Sequence, residues 1–126
     1  MDKNEKLWSA NYNVCTNDLL VVNNLLIICL QKAASPVLNL DSLVIEFEIV
    51  TGNWCKSVDI NKDETLLAIA TDKNVILWDF KNRKMLQQMI VGDLPVQLKF
   101  NPEGNRLVIL LFGGDVVKMD INLSIM

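Results

Sequence analysis

The sequence predicts an all-β fold of antiparallel strands. Short runs of Leu, Ile and Val are separated by turns rich in Asn, Asp and Gly, a pattern that favours strands over helices. The clearest stretch is Ser57 to Phe80, which holds three runs and two turns. Val58–Ile60 leads into Asn61-Lys62-Asp63-Glu64-Thr65, Leu66–Ala70 into Thr71-Asp72-Lys73-Asn74, and Val75–Phe80 closes on Trp78-Asp79. The unit then repeats about forty residues on.

The correspondence runs position by position. Val58 and Ile60 recur as Leu98 and Phe100, and Asn61-Lys62-Asp63-Glu64 as Asn101-Pro102-Glu103-Gly104. Leu67–Ala70 recurs as Leu107–Leu110. After one extra residue in the second turn, Trp78-Asp79-Phe80 recurs as Met119-Asp120-Ile121. A period near forty residues, several strands per unit and a Trp-Asp ending resemble the WD-repeat family, whose units are four-stranded blades of a β-propeller. Asp72-Lys73-Asn74-Val75-Ile76-Leu77-Trp78-Asp79 carries most of the resemblance. It marks Asp72, Trp78, Asp79 and Asp120 as structural repeat positions. The chain departs from the family in having no histidine, so its Gly-His dipeptide is missing; Val91-Gly92-Asp93 stands near that place. Met119 stands where the second unit would carry its Trp.

Taken in order, Trp8–Val14 reads as an opening strand. Leu19–Val22 and Leu25–Leu30 form a hairpin across Asn23-Asn24, since Asn tolerates positive φ in a two-residue turn. This pair is expected to supply the middle and third strands of a degenerate first blade. Gln31–Asp41, with Pro36, reads as a connecting loop. Asp41–Val50 reads as an outer strand with Val44, Glu46 and Glu48 on its wet side and Ile45, Phe47 and Ile49 opposite. Lys84–Val91 is the outer strand of the second blade, with Gln87 and Gln88 tolerating water. Asn101–Asn105 and Gly113-Gly114 are turns. The expected division is residues 7–50 for the first blade, 54–91 for the second and 96–121 for an incomplete third. The middle runs Leu66–Ala70 and Leu107–Leu111 are apolar on both faces, as expected of strands sandwiched between neighbouring blades.

A blade takes about 40–45 residues and a propeller about 4–8 blades. The chain's 126 residues give two blades and part of a third, so the expectation is a piece or short product of a longer propeller. A chain that pairs with another, or a small sheet of another kind, are the alternatives. Hydrophobic residues make up 51% of the chain, which excludes a disordered polymer. The net charge of −3 argues against a self-sufficient nucleic-acid binder. Lys81-Asn82-Arg83-Lys84 is the dense basic cluster; it reads as a solvated turn, or as a contact from Lys81, Arg83 and Lys84 to phosphate or an acidic partner.

Cys15, Cys29 and Cys55 are odd in number and match no metal spacing, so they read as buried reduced thiols in the nucleus or cytoplasm. No apolar h-region follows the N-terminus, and Leu19–Leu30 is too short to cross a membrane. Without His there is no Ser-His-Asp or Cys-His site, and no phosphate-cradling Gly-rich motif is present. Asp63-Glu64 and Glu46/Glu48 read as solvated carboxylates, Asp72 as a turn cap, and Trp78 as packing between blades. No catalytic, cofactor or metal residues are assigned.

The expected function is therefore a non-catalytic scaffold for protein–protein assembly. The short turn before the Trp strand, the absent Gly-His and Gly114-Asp115-Val116 also look like the WD-repeat, non-catalytic subunit of the tRNA guanine-N7 methyltransferase. That resemblance implies a catalytic methyltransferase chain as partner, with RNA engaged only indirectly and no membrane. The alternatives are an adaptor in ribosome assembly, transport or ubiquitin-ligase complexes, or a non-functional truncated product.

Overall fold

A computed structural model describes residue 9 and residues 11–121. They form eleven strands in three antiparallel sheets. The first sheet, blade 1, contains β1 (Thr16–Val22), β2 (Leu25–Leu30), β3 (Ala34–Asn39) and β4 (Ile45–Val50). Blade 2 contains β5 (Cys55–Ile60), β6 (Leu66–Thr71), β7 (Val75–Asp79) and β8 (Lys84–Met89). Blade 3 contains β9 (Pro95–Phe100), β10 (Arg106–Leu111) and β11 (Val116–Asp120). Within each sheet the strands lie in chain order, each paired to the next. The sheets meet through their first strands: β5 packs against β1 and β9. Sheets joined at their inner strands and splayed at their outer ones have the geometry of propeller blades.

The backbone repeats more faithfully than the sequence. Each first strand carries a bulge at an equivalent place: the register skips Asn17 in β1, Lys56 in β5 and Val96 in β9. Each complete blade carries a second one, skipping Glu46 in β4 and Leu86 in β8. A bulge bends a strand and increases its twist, so repeated bulges impose one curvature on every blade. The turn after each of β5 and β9 is also the same. Asn61 Oδ1 accepts from the Thr65 and Leu66 N–H groups, and Asn101 Oδ1 from the Arg106 N–H. The left-handed position in this turn is Glu64 in one copy and Gly104 in the other.

Hydrophobic burial follows the faces between blades. Val22, Ile27, Cys29, Val37 and Ile49 of blade 1 pack on Val58, Leu67, Ile69, Ile76 and Trp78 of blade 2. Leu66, Ala68, Ala70, Val75 and Leu77 on the other side of blade 2 pack on Leu98, Leu107, Ile109 and Leu111 of blade 3. Strand β6 is therefore buried along its whole length. Polar groups join the first strands: Ser57 Oγ donates to Asp18 Oδ2 (3.3 Å) and accepts from the Leu98 N–H (3.2 Å). Asp59 Oδ2 accepts from the Phe100 N–H at 2.8 Å.

Blade 1 corrects the sequence reading most. Gln31–Asp41 is not a loop, because β3 occupies Ala34–Asn39. Pro36 is tolerated there because the ladder to β2 stops at Val37, so no N–H is needed on that side. Leu19–Val22 and Leu25–Leu30 consequently belong to the first and second strands, not the middle and third. The outer strand starts at Ile45 rather than Asp41, because Leu40–Val44 turn the chain with Leu43 at φ 59°. Its expected alternation breaks at the Glu46 bulge: Ile45 pairs with Leu38 and is exposed, while Phe47 and Ile49 face blade 2. Of the expected opening strand Trp8–Val14, Trp8 and Ala10 lie outside the described residues and the remainder is not a strand. In blade 3, Val108 and Leu110 are 40% and 39% exposed, so β10 is sandwiched on one face only.

The cysteines also differ from expectation. Cys29 and Cys55 are buried but paired as a disulfide between blades 1 and 2, with Cα atoms 4.8 Å apart. Cys15 is free and exposed. No helix among the described residues is long and apolar enough to cross a membrane.

Candidate protein-interaction rims

Alternating strand direction sorts the connections onto two rims. The β2–β3, β4–β5, β6–β7, β8–β9 and β10–β11 connections share one, here called the upper rim. The others share the lower rim. The predicted site residues are split between these places rather than gathered. Asp72 is on the upper rim, Asp79 borders the lower rim, Trp78 lies between blades and Asp120 ends β11.

The upper-rim turn of blade 2 is built around Thr71, not Asp72. Thr71 Oγ1 accepts from the Lys73 and Asn74 N–H groups, both at 3.0 Å, and lies 3.0 Å from Asn74 Oδ1. This corrects the expected turn cap at Asp72. Its Oδ1 is buried and has no hydrogen-bond partner among the described residues, while its N–H donates to the Trp54 carbonyl at 3.1 Å. Blade 3 solves the same corner differently. The Phe112 N–H donates to the Leu94 carbonyl at 2.8 Å, which puts Phe112 at the Asp72 position. Asp93 Oδ2 then accepts from the Gly113 N–H at 2.9 Å. A Cβ on Gly113 would come within 2.9 Å of that oxygen, so glycine suits the approach.

These hydrogen-bonded corners hold large apolar groups in the open. Trp54 is 47% exposed, Phe112 75% and Ile90, at the end of the β8 side, 86%. Aromatic side chains on fixed loops are the groups that most often anchor protein interfaces. The sequence reading did not single them out. The available signal was Phe112 at the corner where the preceding unit has Asp72.

On the lower rim, Asp79 organises the basic turn. Its Oδ1 accepts from the Lys81 and Asn82 N–H groups, each at 3.0 Å, and its Oδ2 from Asn82 Nδ2 at 2.7 Å. The Asn82 N–H, the Asn82 side chain and then Lys81 and Lys84 hold its carboxyl below the ordinary range against opposing desolvation. Asn39 does the same work in blade 1, where its Oδ1 accepts from the Asp41 and Ser42 N–H groups. Lys81 and Lys84 are exposed, whereas the Arg83 guanidinium lies 3.9 Å above the Phe47 ring and ties the turn to blade 1. Asp120 forms an exposed ion pair with Arg106 at 3.2 Å.

A lowered folded-state value fixes the sign of one pH effect. The contribution of Asp79 is complete above the unfolded carboxylate value, about 3.9, and fades as pH falls through the lower folded value. The stability gap between wild type and Asp79→Asn is therefore expected to narrow in acid. Urea unfolding at stepped pH below about 4 measures it; a gap that widens in acid would contradict the assignment.

Among the described residues, no group of three or more His, Cys, Asp or Glu side chains is placed to hold a metal ion. Grooves lie on the outward faces of blades 1 and 3, and one on blade 1 runs from Tyr12 and Val14 across Leu26 and Ile28 to Leu43 in the lower-rim turn.

No protein-family model matches the chain, and no curated protein matches it. Solved structures do. The β-propeller domain of Myceliophteria thermophila Cps50 (Swd1) aligns over 90% of this chain and 37% of its own, at 14% identity and a TM-score of 0.79. The WD40 propeller domain of Doa1 aligns over 90% and 39%, at 11% identity and a TM-score of 0.79. Hydrazine synthase of Kuenenia stuttgartiensis aligns over 77% and 29%, at 16% identity and a TM-score of 0.72. The chain spans well under half the length of these structures. Identities this low carry the fold alone: all-β, antiparallel sheets that resemble WD40 propeller blades and cover part of such a propeller.

Proposed function

We propose that this chain is a non-catalytic scaffold that holds protein partners on its upper rim. The observation that carries the reading is the display of Trp54 and Phe112, both outside the core, on corners fixed by backbone hydrogen bonds. Such a surface loses little conformational freedom on binding and offers apolar anchors that a partner desolvates.

The test is recovery of partners by the tagged chain and by the double variant Trp54→Ala/Phe112→Ala. Loss of more than about tenfold in affinity is expected, the scale of one anchor of about 1.4 kcal/mol, with an unchanged circular dichroism spectrum. Equal recovery by the double variant would remove the upper rim as the docking site.

A narrower form makes the chain the accessory subunit of a tRNA guanine-N7 methyltransferase, with a catalytic chain as partner and RNA engaged indirectly. It is supported by Asp72–Asp79 and Gly114-Asp115-Val116. Lys81 and Lys84 are exposed on the lower rim, where an acidic or phosphate-bearing partner could meet them. Co-expression with a catalytic chain should then give a stoichiometric complex that methylates guanine N7. Failure there with rim-dependent capture of another protein would favour the adaptor reading.

A further inference from the structure

The upper rim carries one kind of corner twice. Ser35 pairs with Ile49 and Val75 with Met89 at equivalent places, so Val50 and Ile90 are equivalent ends of the two outer strands. They are 77% and 86% exposed. Each is followed by another blade, so neither owes its exposure to an end of the chain. Each also opens a connection tied to a neighbouring turn by one backbone bond, from the Asp72 N–H to the Trp54 carbonyl or from the Phe112 N–H to the Leu94 carbonyl. Both tied pairs hold an exposed aromatic ring and a carboxylate, exchanged between the two loops. One has Trp54 with Asp72, the other Phe112 with Asp93.

The carboxylates outnumber the cations. These four connections contain Asp72, Asp93 and Asp115 against Lys73. Asp72 Oδ1 is buried with no hydrogen-bond partner among the described residues. Asp93 accepts from the Leu94 N–H at 2.7 Å and the Gly113 N–H at 2.9 Å, bonds that leave its charge in place. The lower rim shows what chemistry an exposed ring takes in this protein, since the Arg83 guanidinium lies 3.9 Å above the Phe47 ring. A planar guanidinium can stack on a ring while its edge bonds a carboxylate, which suits it better than an ammonium to both groups at once.

We infer that each corner takes an arginine of a partner, stacked on Trp54 or Phe112 and paired with Asp72 or Asp93. The partner segment then carries two arginines, each beside an aliphatic residue that covers Val50 or Ile90. This rests on the upper rim as the docking site and adds the chemistry of what docks there.

The purified full chain is titrated with labelled Gly/Ser-rich peptides carrying two Leu-Arg pairs on linkers of graded length. A matched series carries citrulline, which keeps the side-chain shape without the charge. The best arginine peptide is expected to bind at least about tenfold tighter than its citrulline counterpart, and more weakly as salt rises. Asp72→Asn/Asp93→Asn keeps an acceptor at both positions and is expected to weaken binding by about tenfold or more. Asp63→Asn/Glu103→Gln makes the same charge change on the lower rim and should stay within about twofold. No binding by any arginine peptide, equal binding by citrulline, or equal losses in the two double variants would overturn the inference. Partner recovery that needs Trp54 and Phe112 but ignores Asp72→Asn/Asp93→Asn would also overturn it, and would leave the scaffold reading standing.

Discussion

Trp78→Ala is expected to destabilise the chain by about 3–5 kcal/mol. The side chain is 6% exposed in the core between blades 1 and 2. Its ring stacks on Phe47 with centroids 6.1 Å apart and 13° between planes, and meets Phe80 edge-on at 6.4 Å. Arg83 covers the Phe47 ring as well, so Trp78 joins Phe80 to an aromatic ring that the blade 2 turn also holds. Removing it opens a cavity that strands cannot collapse into, because both flanking sheets are fixed by their ladders. A small domain has about 5–15 kcal/mol in total, so the variant should be marginal at best. Trp78→Phe keeps the stacking partner and should lose substantially less. Urea unfolding gives both values; a loss below about 1 kcal/mol for the alanine variant would place Trp78 outside the interface.

Ile69→Ala is expected to lose about 2–5 kcal/mol, measured the same way. Ile69 sits mid-strand in β6 with its neighbours Ala68 and Ala70 buried against the opposite blade. No relaxation is available on either side, so the cavity should persist. Met85 in the outer strand β8 is a control: it is exposed, and Met85→Ala should stay within about 0.5 kcal/mol of wild type. Similar losses at the two positions would mean that β6 is not the sandwiched strand.

The two effects fall in the part of the fold that was legible from residues alone. Asn61, Trp78 and Asp79 do local work, closing turns and filling one interface, and local work leaves a spaced sequence mark. Blade 1 does the same work with other residues. Asn39 caps the turn that Asp79 caps, and Leu38 stands in place of Trp78, so the mark is lost while the geometry survives. Pro36 suggested a break because its missing N–H matters only if both neighbours pair along its length, which sequence does not reveal. The Glu46 bulge shifted the face of Ile45 for a related reason: a skipped residue is a property of two strands together. The Cys29–Cys55 pairing joins strands from different blades and has no local signature. Trp54 and Phe112 were illegible as a site because exposure depends on what surrounds them, and an aromatic in a β sequence is read first as core.

The central claim is that β5–β8 and β9–β11 are successive copies of one sheet with a shared apolar face. Methyl–methyl nuclear Overhauser effects report this most directly. Selectively labelled protein should show strong cross-peaks between the Ala68 or Ala70 methyls and those of Leu107, Ile109 or Leu111, with strand-type chemical shifts over Leu66–Thr71 and Arg106–Leu111. Helical shifts in either segment, or absence of cross-peaks between the two sets of methyls in a folded sample, would contradict it.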